Sequence, residues 1–377
     1  MQIEPFLSER WLSLWQNHVR YDFTETGVHP LFLNELATPD EVREIYETTQ
    51  LRYIQTNGPP SLKAAICGMY EDVAPENILV TNGSAEANYI TLWRLLEPGD
   101  QMATMLPNYM QVPGYARSLG VSVTGFNLDP ARGWALDLDE LERAVTPRTK
   151  LIYISNPNNP TGAVLSEAEM DAVVAAAERV GAWILSDEVY RGAELDGEMT
   201  PTFWGRYPRT IVVSGLSKAY TLPGLRIGWL LAPAEVATSS WGYHDYTTIT
   251  TNALSERFAQ LAMRPETRAR ILARNREISS RNLRSLTGWI ATRPDVLDFT
   301  PPRIGGVAFV GYQLPIGSIE LVERLRREKS VLIVPGSAFG TDGHVRIGYG
   351  HPQLADGLTL IDEVLEDVAH RHEGVTV

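Results

Sequence analysis

Between residues 149 and 187 the chain alternates strand and helix signals in an order that few folds accommodate. Leu151-Ile152-Tyr153-Ile154-Ser155 and Trp183-Ile184-Leu185-Ser186 are short, almost wholly apolar runs, the pattern of strands buried on both faces. Between them Ser166-Glu167-Ala168-Glu169 forms a capping box that opens a helix reaching about Val180. Gly181 then stands where a left-handed C-terminal cap belongs. Such a strand–helix–strand unit implies a parallel sheet with right-handed crossovers. Ile78-Leu79-Val80, Ile211-Val212-Val213-Ser214 and Gly228-Trp229-Leu230-Leu231 repeat the apolar pattern. The expected fold class is α/β, with a mixed, mostly parallel sheet sandwiched by helices.

The ends of the chain read differently. Residues 1–45 are helical and irregular, broken by Pro30 and Pro39. After residue 285 a smaller α/β set begins, with strands near Val307–Gly311, Val331–Val334 and His344–Ile347. The expectation is a large domain over 46–284 and a smaller α/β domain built from 1–45 together with 285–377. At 44% hydrophobic, 377 residues supply core enough for both.

Charge and cysteine content remove several function classes. Thirty-three basic against 46 acidic side chains leave a net charge of −13, so the chain is not built to neutralise a nucleic-acid backbone. No stretch approaches the roughly 18 apolar residues of a membrane span, and Met1-Gln2-Ile3-Glu4-Pro5 lacks the basic start of a signal peptide. A cytoplasmic protein is expected. Cys67, the only cysteine, lies on what reads as an apolar helix face and is expected to be a buried structural thiol.

In a parallel sheet, ligands bind beyond the carboxyl ends of the strands, and four loops at such positions carry chemistry. Asn82-Gly83-Ser84-Ala85 feeds a helix running to about Leu96, offering N–H groups and a favourable dipole to a phosphate, or serving as a simple helix start. Ser155-Asn156-Pro157-Asn158-Asn159-Pro160-Thr161-Gly162 is a stiff loop rich in amides, or an ordinary turn. Ser186-Asp187-Glu188-Val189-Tyr190 sets a carboxylate and a phenol at a strand end, suited to a ring nitrogen and a ring hydroxyl. In Ser214-Gly215-Leu216-Ser217-Lys218-Ala219-Tyr220 a lysine sits among small residues, where desolvation would lower its pKa and make it a nucleophile towards an aldehyde. Arg226, beside glycines, suits bidentate phosphate binding.

Taken together, Asn159-Pro160-Thr161-Gly162, Asp187-x-x-Tyr190 and Ser217-Lys218 with Arg226-x-Gly228 resemble the class I/II aminotransferases of the pyridoxal 5′-phosphate (PLP) fold type I, from Tyr53 to Arg346. The resemblance implies PLP as cofactor, held by Lys218 as an aldimine, with the same lysine moving a Cα proton through a quinonoid. It implies that Asp187 keeps the pyridine nitrogen protonated, that Tyr190 and Asn159 bind the ring oxygen, and that Tyr109 stacks on the ring. Ser84, Ala85, Ser217 and Arg226 would hold the phosphate. Arg346 would bind the substrate α-carboxylate, with Asn159 beside it and Gly27 in a segment closing over substrate. Tyr53 would reach the phosphate of a neighbouring subunit, implying a homodimer with shared active sites.

An amino acid donor and a 2-oxo acid acceptor are the partners this family implies, and transamination is the expected reaction. Thr26-Gly27-Val28-His29, Leu222-Pro223-Gly224-Leu225-Arg226 and Val334-Pro335-Gly336 also resemble capreomycidine synthase-like members of the family, which implies elimination and cyclisation of an arginine-like amino acid as the alternative. Gly215 departs from the family, where Ser or Thr often contacts phosphate; Ser214 or Ser217 is expected to compensate. Arg303 is a candidate for a distal carboxylate, with a surface role as the other reading. His244 and Asp245 are candidates for reading a polar or cationic side chain, with a structural histidine as the alternative.

Overall fold

Runs such as Ile152–Ile154 become strands because helices on both sides of the sheet bury their alternating faces. The computed structural model describes residues 3–373. After a short β1 (Tyr21–Asp22), eight strands build the main sheet: β2 (Ile78–Thr81), β3 (Gln101–Leu106), β4 (Ser122–Asp129), β5 (Ala135–Leu136), β6 (Thr149–Ser155), β7 (Trp183–Asp187), β8 (Thr210–Gly215) and β9 (Gly228–Leu231). Their spatial order is β2-β9-β8-β7-β6-β3-β4-β5. Leu151 and Tyr153 of β6 join the apolar layer under the helix Ser84–Leu95, while Ile152 and Ile154 join the layer under the helix Glu167–Val180.

The direction of the strands decides where the loops go. β8, β7, β6, β3 and β4 run parallel, and β9 runs antiparallel to both β8 and β2. The carboxyl ends of β2, β3, β6, β7 and β8 therefore share one edge with the amino end of β9. The expected capping box forms, with Ser166 Oγ accepting from the Glu169 N–H, and Gly181 takes φ +70°.

Three details differ from the sequence reading. β3 and β4, which carry polar residues such as Gln101, Thr104 and Asn127, complete the sheet without a continuous apolar run. The single strand expected over Val331–Val334 is two: β12 (Val331–Leu332) pairs with β1, and β13 (Val334–Pro335) pairs elsewhere. Cys67 is half-buried rather than buried, at the end of the helix Pro60–Cys67, though its surroundings still push the thiol's pKa up.

A second, four-stranded sheet combines β10 (Leu297–Phe299), β11 (Val307–Tyr312), β14 (His344–Gly348) and β13, in that order. The two chain ends meet here. β1 pairs in parallel with β12, and the Gly348 N–H donates to the Phe23 carbonyl at 2.7 Å. Tyr21 and Phe23 share an apolar cluster with Val310, Ile347 and Leu358. The 26-residue helix Pro265–Ile290, about 39 Å long, anchors Ile271 near the main sheet and Leu286 in that second cluster. None of the described helices is long and apolar enough to cross a membrane.

Glu188 follows β7 into the interior and is fully buried. It accepts from Ser186 Oγ, Thr202 Oγ1 and the Phe203 N–H, yet burial still lifts its carboxyl to about 7. The folded state thus holds a proton that the unfolded chain releases near pH 4. Its contribution to stability is full below that pH and is lost as pH rises through 7. Glu188→Gln should raise the melting temperature by about 2 °C or more at pH 8.5, with the gain vanishing at pH 4.5, as read by differential scanning calorimetry.

Candidate functional site

At the shared edge the loops enclose a cavity of about 570 Å³. β8 ends against β9 so tightly that a Cβ at Gly215 would lie 3.0 Å from the Ile227 carbonyl, and the chain then turns to present Ser217 and Lys218. The side chain of Ser214 points away, its Oγ donating to the Glu188 carbonyl at 3.2 Å. Of the two serines expected to offset Gly215, only Ser217 faces the cavity. No side chain fits at 228, since a Cβ there would lie 2.4 Å from the Gly83–Ser84 peptide.

That close approach places the start of the helix Ser84–Leu95 at the cavity wall, where Ser84 and Ala85 line it. Arg226, in the left-handed region at φ +53°, lies over Gly83 and reaches the Asn82 carbonyl at 3.5 Å. A buried pair supports this turn from behind. Burial works against the charge of Glu86, but His244, Thr247 and the Asn82 N–H all bond its carboxylate and bring its pKa down to about 2. His244 is therefore structural, and Asp245 is exposed and absent from the cavity wall.

Asp187 ends β7 in the middle of the sheet, 5% exposed. Burial raises its carboxyl to about 6 against the opposing pull of Asn88 Nδ2, 3.1 Å away, and the Val189 N–H at 3.2 Å. The hydroxyl of Tyr190 is buried without a hydrogen-bond partner. Tyr109 lines the same space; its hydroxyl donates to Glu9 at 2.9 Å and its ring packs edge-on against Phe6. Arg346 on β14 crosses over to donate to Asn159 Oδ1 at 3.1 Å and to the Thr24 carbonyl at 2.7 Å, leaving its buried Nε unpartnered.

The ammonium of Lys218 lies 3.3 Å from Glu25. Burial alone would lower its pKa, as the sequence suggested, but Glu25 and Tyr190 outweigh burial and hold it above the ordinary lysine value. Loss of the proton therefore requires the Glu25 attraction to be overcome or reassigned.

Of the twelve residues to which the family resemblance gives a cofactor or substrate role, ten line this one cavity. Gly27 does not, but a Cβ there would lie 3.2 Å from the Lys218 carbonyl, so it packs directly behind the lysine. Tyr53 stands 75% exposed, away from this chain's own cavity. Arg303 is at the surface, 4.0 Å from Asp196. Sequence reasoning missed Glu9, Glu25, Thr24 and Asn88. Only Glu25, two residues before Gly27, had a nearby signal.

The donor set suits a flat ring with a basic nitrogen against Asp187, an acidic oxygen at Tyr190, and a phosphate at the helix start and Arg226. An unpartnered buried phenol and a buried carboxylate lacking a cation are both satisfied by such a ring.

Known proteins carry the same architecture. Residues 31–356 match the family of aminotransferases class I and II. Capreomycidine synthase from Streptomyces vinaceus is 31% identical over 96% of this chain and 93% of its own. A PLP-dependent aminotransferase from Streptococcus suis superposes with a TM-score of 0.91 at 35% identity, covering 98% of this chain and 99% of that one. The PLP-dependent cyclase OrfR superposes with a TM-score of 0.87 at 27% identity, over 97% and 98%.

Gly228→Ala should force the Gly83–Ser84 turn outward. Overpacking of this kind costs about 1–3 kcal/mol, so affinity of the apoprotein for PLP should fall about tenfold or more, as read by fluorescence titration.

Proposed function

The chain belongs to the class I and II aminotransferase family and is a PLP-dependent enzyme, and from that premise we propose that it transaminates an α-amino acid with a 2-oxo acid as acceptor. The observation that carries this reading is the meeting of Lys218, Asp187 and Arg346 in one cavity from three separate parts of the chain. When bound, PLP supplies the electron sink that accepts the charge left when a proton leaves Cα.

The roles of the side chains follow. Asp187, ionised against a protonated ring nitrogen, keeps that sink effective. Without such a partner burial raises its carboxyl to about 6, and a neighbouring cation would offset that burial. Tyr190 donates to the ring oxygen, and Asn159, whose Oδ1 is taken by Arg346, has its amide N–H groups left to do the same. Tyr109 covers one ring face. Ser84, Ala85, Ser217 and Arg226 hold the phosphate. Arg346 binds the substrate α-carboxylate with its free Nε, which turns the Cα–H bond towards Lys218. Lys218 Nζ would hold the cofactor in the resting enzyme and, when free, would take the Cα proton. Where it returns that proton decides the product.

The same reading takes residues 46–284 as the cofactor-binding domain and 1–45 with 285–377 as the smaller one. It also takes the protein to be a homodimer, with exposed Tyr53 serving the phosphate of the neighbouring subunit.

A second reading, elimination or cyclisation of an arginine-like amino acid, is favoured by the 31% identity to capreomycidine synthase and the likeness to a PLP-dependent cyclase. Product mass spectrometry separates the two. With the 20 amino acids, ornithine and hydroxyarginine as donors, transamination yields more than one equivalent of new 2-oxo acid per active site only when an acceptor is supplied. Dehydrated or cyclised product without any acceptor establishes the second reading instead. Lys218→Ala should lower turnover by about 10³-fold or more and abolish covalent PLP attachment by borohydride. Retained attachment in the folded variant overturns the assignment of Lys218.

A further inference from the structure

The cavity wall carries six charged side chains: Glu9, Glu25 and Asp187 against Lys218, Arg226 and Arg346. Under the roles just given, when substrate first enters and before Lys218 is released, every cation acquires an anion or loses its charge. Arg226 meets the phosphate, Arg346 meets the α-carboxylate, and Lys218 is joined to the cofactor. Asp187 faces the ring nitrogen. Glu25 and Glu9 are then left without a positive partner.

We infer that the substrate is an α-amino acid whose side chain ends in a cation, a guanidinium or an ammonium, held by the carboxylates of Glu25 and Glu9. The inference rests on the PLP-enzyme reading above and adds to it the chemistry of the side chain.

Geometry supports it at each step. Glu25 Oε1 lies 3.3 Å from Lys218 Nζ and accepts the Thr26 N–H at 3.2 Å, so one face of the carboxylate is directed at the reacting lysine. Glu9, on the helix Leu7–Trp15, binds only the Tyr109 phenol among these groups, at 2.9 Å. The two acids thus flank the cavity from separate segments of the N-terminal chain. While Lys218 is free, its ammonium holds the half-exposed Glu25 carboxyl below the usual range, and a cationic side chain would take that place once Lys218 is joined to the cofactor. Glu9 is exposed and 40% of the Glu25 side chain is accessible; a substrate filling the cavity would take part of that water away, and a charge losing hydration without gaining a partner is costly. A cationic side chain removes that cost, whereas a carboxylate side chain adds repulsion.

The position of Glu25 is also tightly set. A Cβ at Gly348 would collide with the Glu25 carbonyl, and one at Gly350 with the Gly27 carbonyl. The segment is clamped by backbone on both sides, so its carboxylate is presented before substrate arrives.

The test uses the holoenzyme and matched pairs of amino acids, with binding read from the change in cofactor absorption. L-arginine should bind about tenfold or more tightly than L-citrulline, or L-lysine than L-norleucine, the scale of one charge-assisted hydrogen bond. L-glutamate should bind more weakly than all four. Glu25→Gln should erase most of that preference, read within the variant as the ratio of the cationic to the neutral amino acid of each pair, and Glu25→Asp should retain it. Cofactor absorption retained in each variant confirms an intact site. If neither cation is preferred over its neutral counterpart, or the preference survives in the Glu25→Gln, Glu9→Gln double variant, the inference is overturned while the PLP-enzyme reading stands. A spectrum unmoved by any amino acid overturns that underlying reading as well.

Discussion

A carboxylate buried at the end of a central strand must either find a cation or keep its proton. Asp187 is that carboxylate, and much of the site is arranged around its solution. Asn88 and the Val189 N–H offer it neutral donors, which are too weak to offset burial and leave its pKa near 6. A protonated ring nitrogen completes the set. Under the proposed reading, Asp187 would hold the ring nitrogen, the start of the helix Ser84–Leu95 the phosphate, Tyr190 the ring oxygen and Lys218 the reactive carbon, all of them on one cavity wall.

The sheet makes this possible through one reversal. Had β9 run parallel to β8, its amino end and Arg226 would lie at the opposite edge from Lys218. Because β9 is antiparallel, Arg226 enters from the same side as the strand ends, and Gly228 lets β9 close onto Gly83. The phosphate site is thus a product of chain direction and of one missing side chain.

Much of this was legible in the residues themselves. The loops after β2, β6, β7 and β8 follow apolar runs directly, so their place at a common edge follows from the strand–helix–strand order. β3 and β4 were not legible, because Gln101, Thr104 and Asn127 interrupt the apolar pattern while neighbouring strands complete it. Glu9 and Glu25 were missed for a different reason. Both reach the site from the N-terminal segment, and Glu25 meets Lys218 across 193 positions of sequence. That contact also reverses the expected pKa direction of the lysine, since local sequence announces burial but not a distant counter-charge. Ser214 was misjudged because its hydroxyl satisfies a backbone carbonyl inside the fold.

Gly348 has a consequence beyond its own position. It ends the strand that carries Arg346, and it presses on the peptide of Glu25 while its N–H binds the Phe23 carbonyl. The arginine proposed to grip the α-carboxylate and the glutamate proposed to read the side chain are thereby carried on two segments in direct backbone contact. The two measure a substrate as a fixed calliper does, by the span between its charged ends. A variant that loosens one jaw shifts the other, so widening the choice of side chain by mutation near Gly348 also slackens hold on the carboxylate.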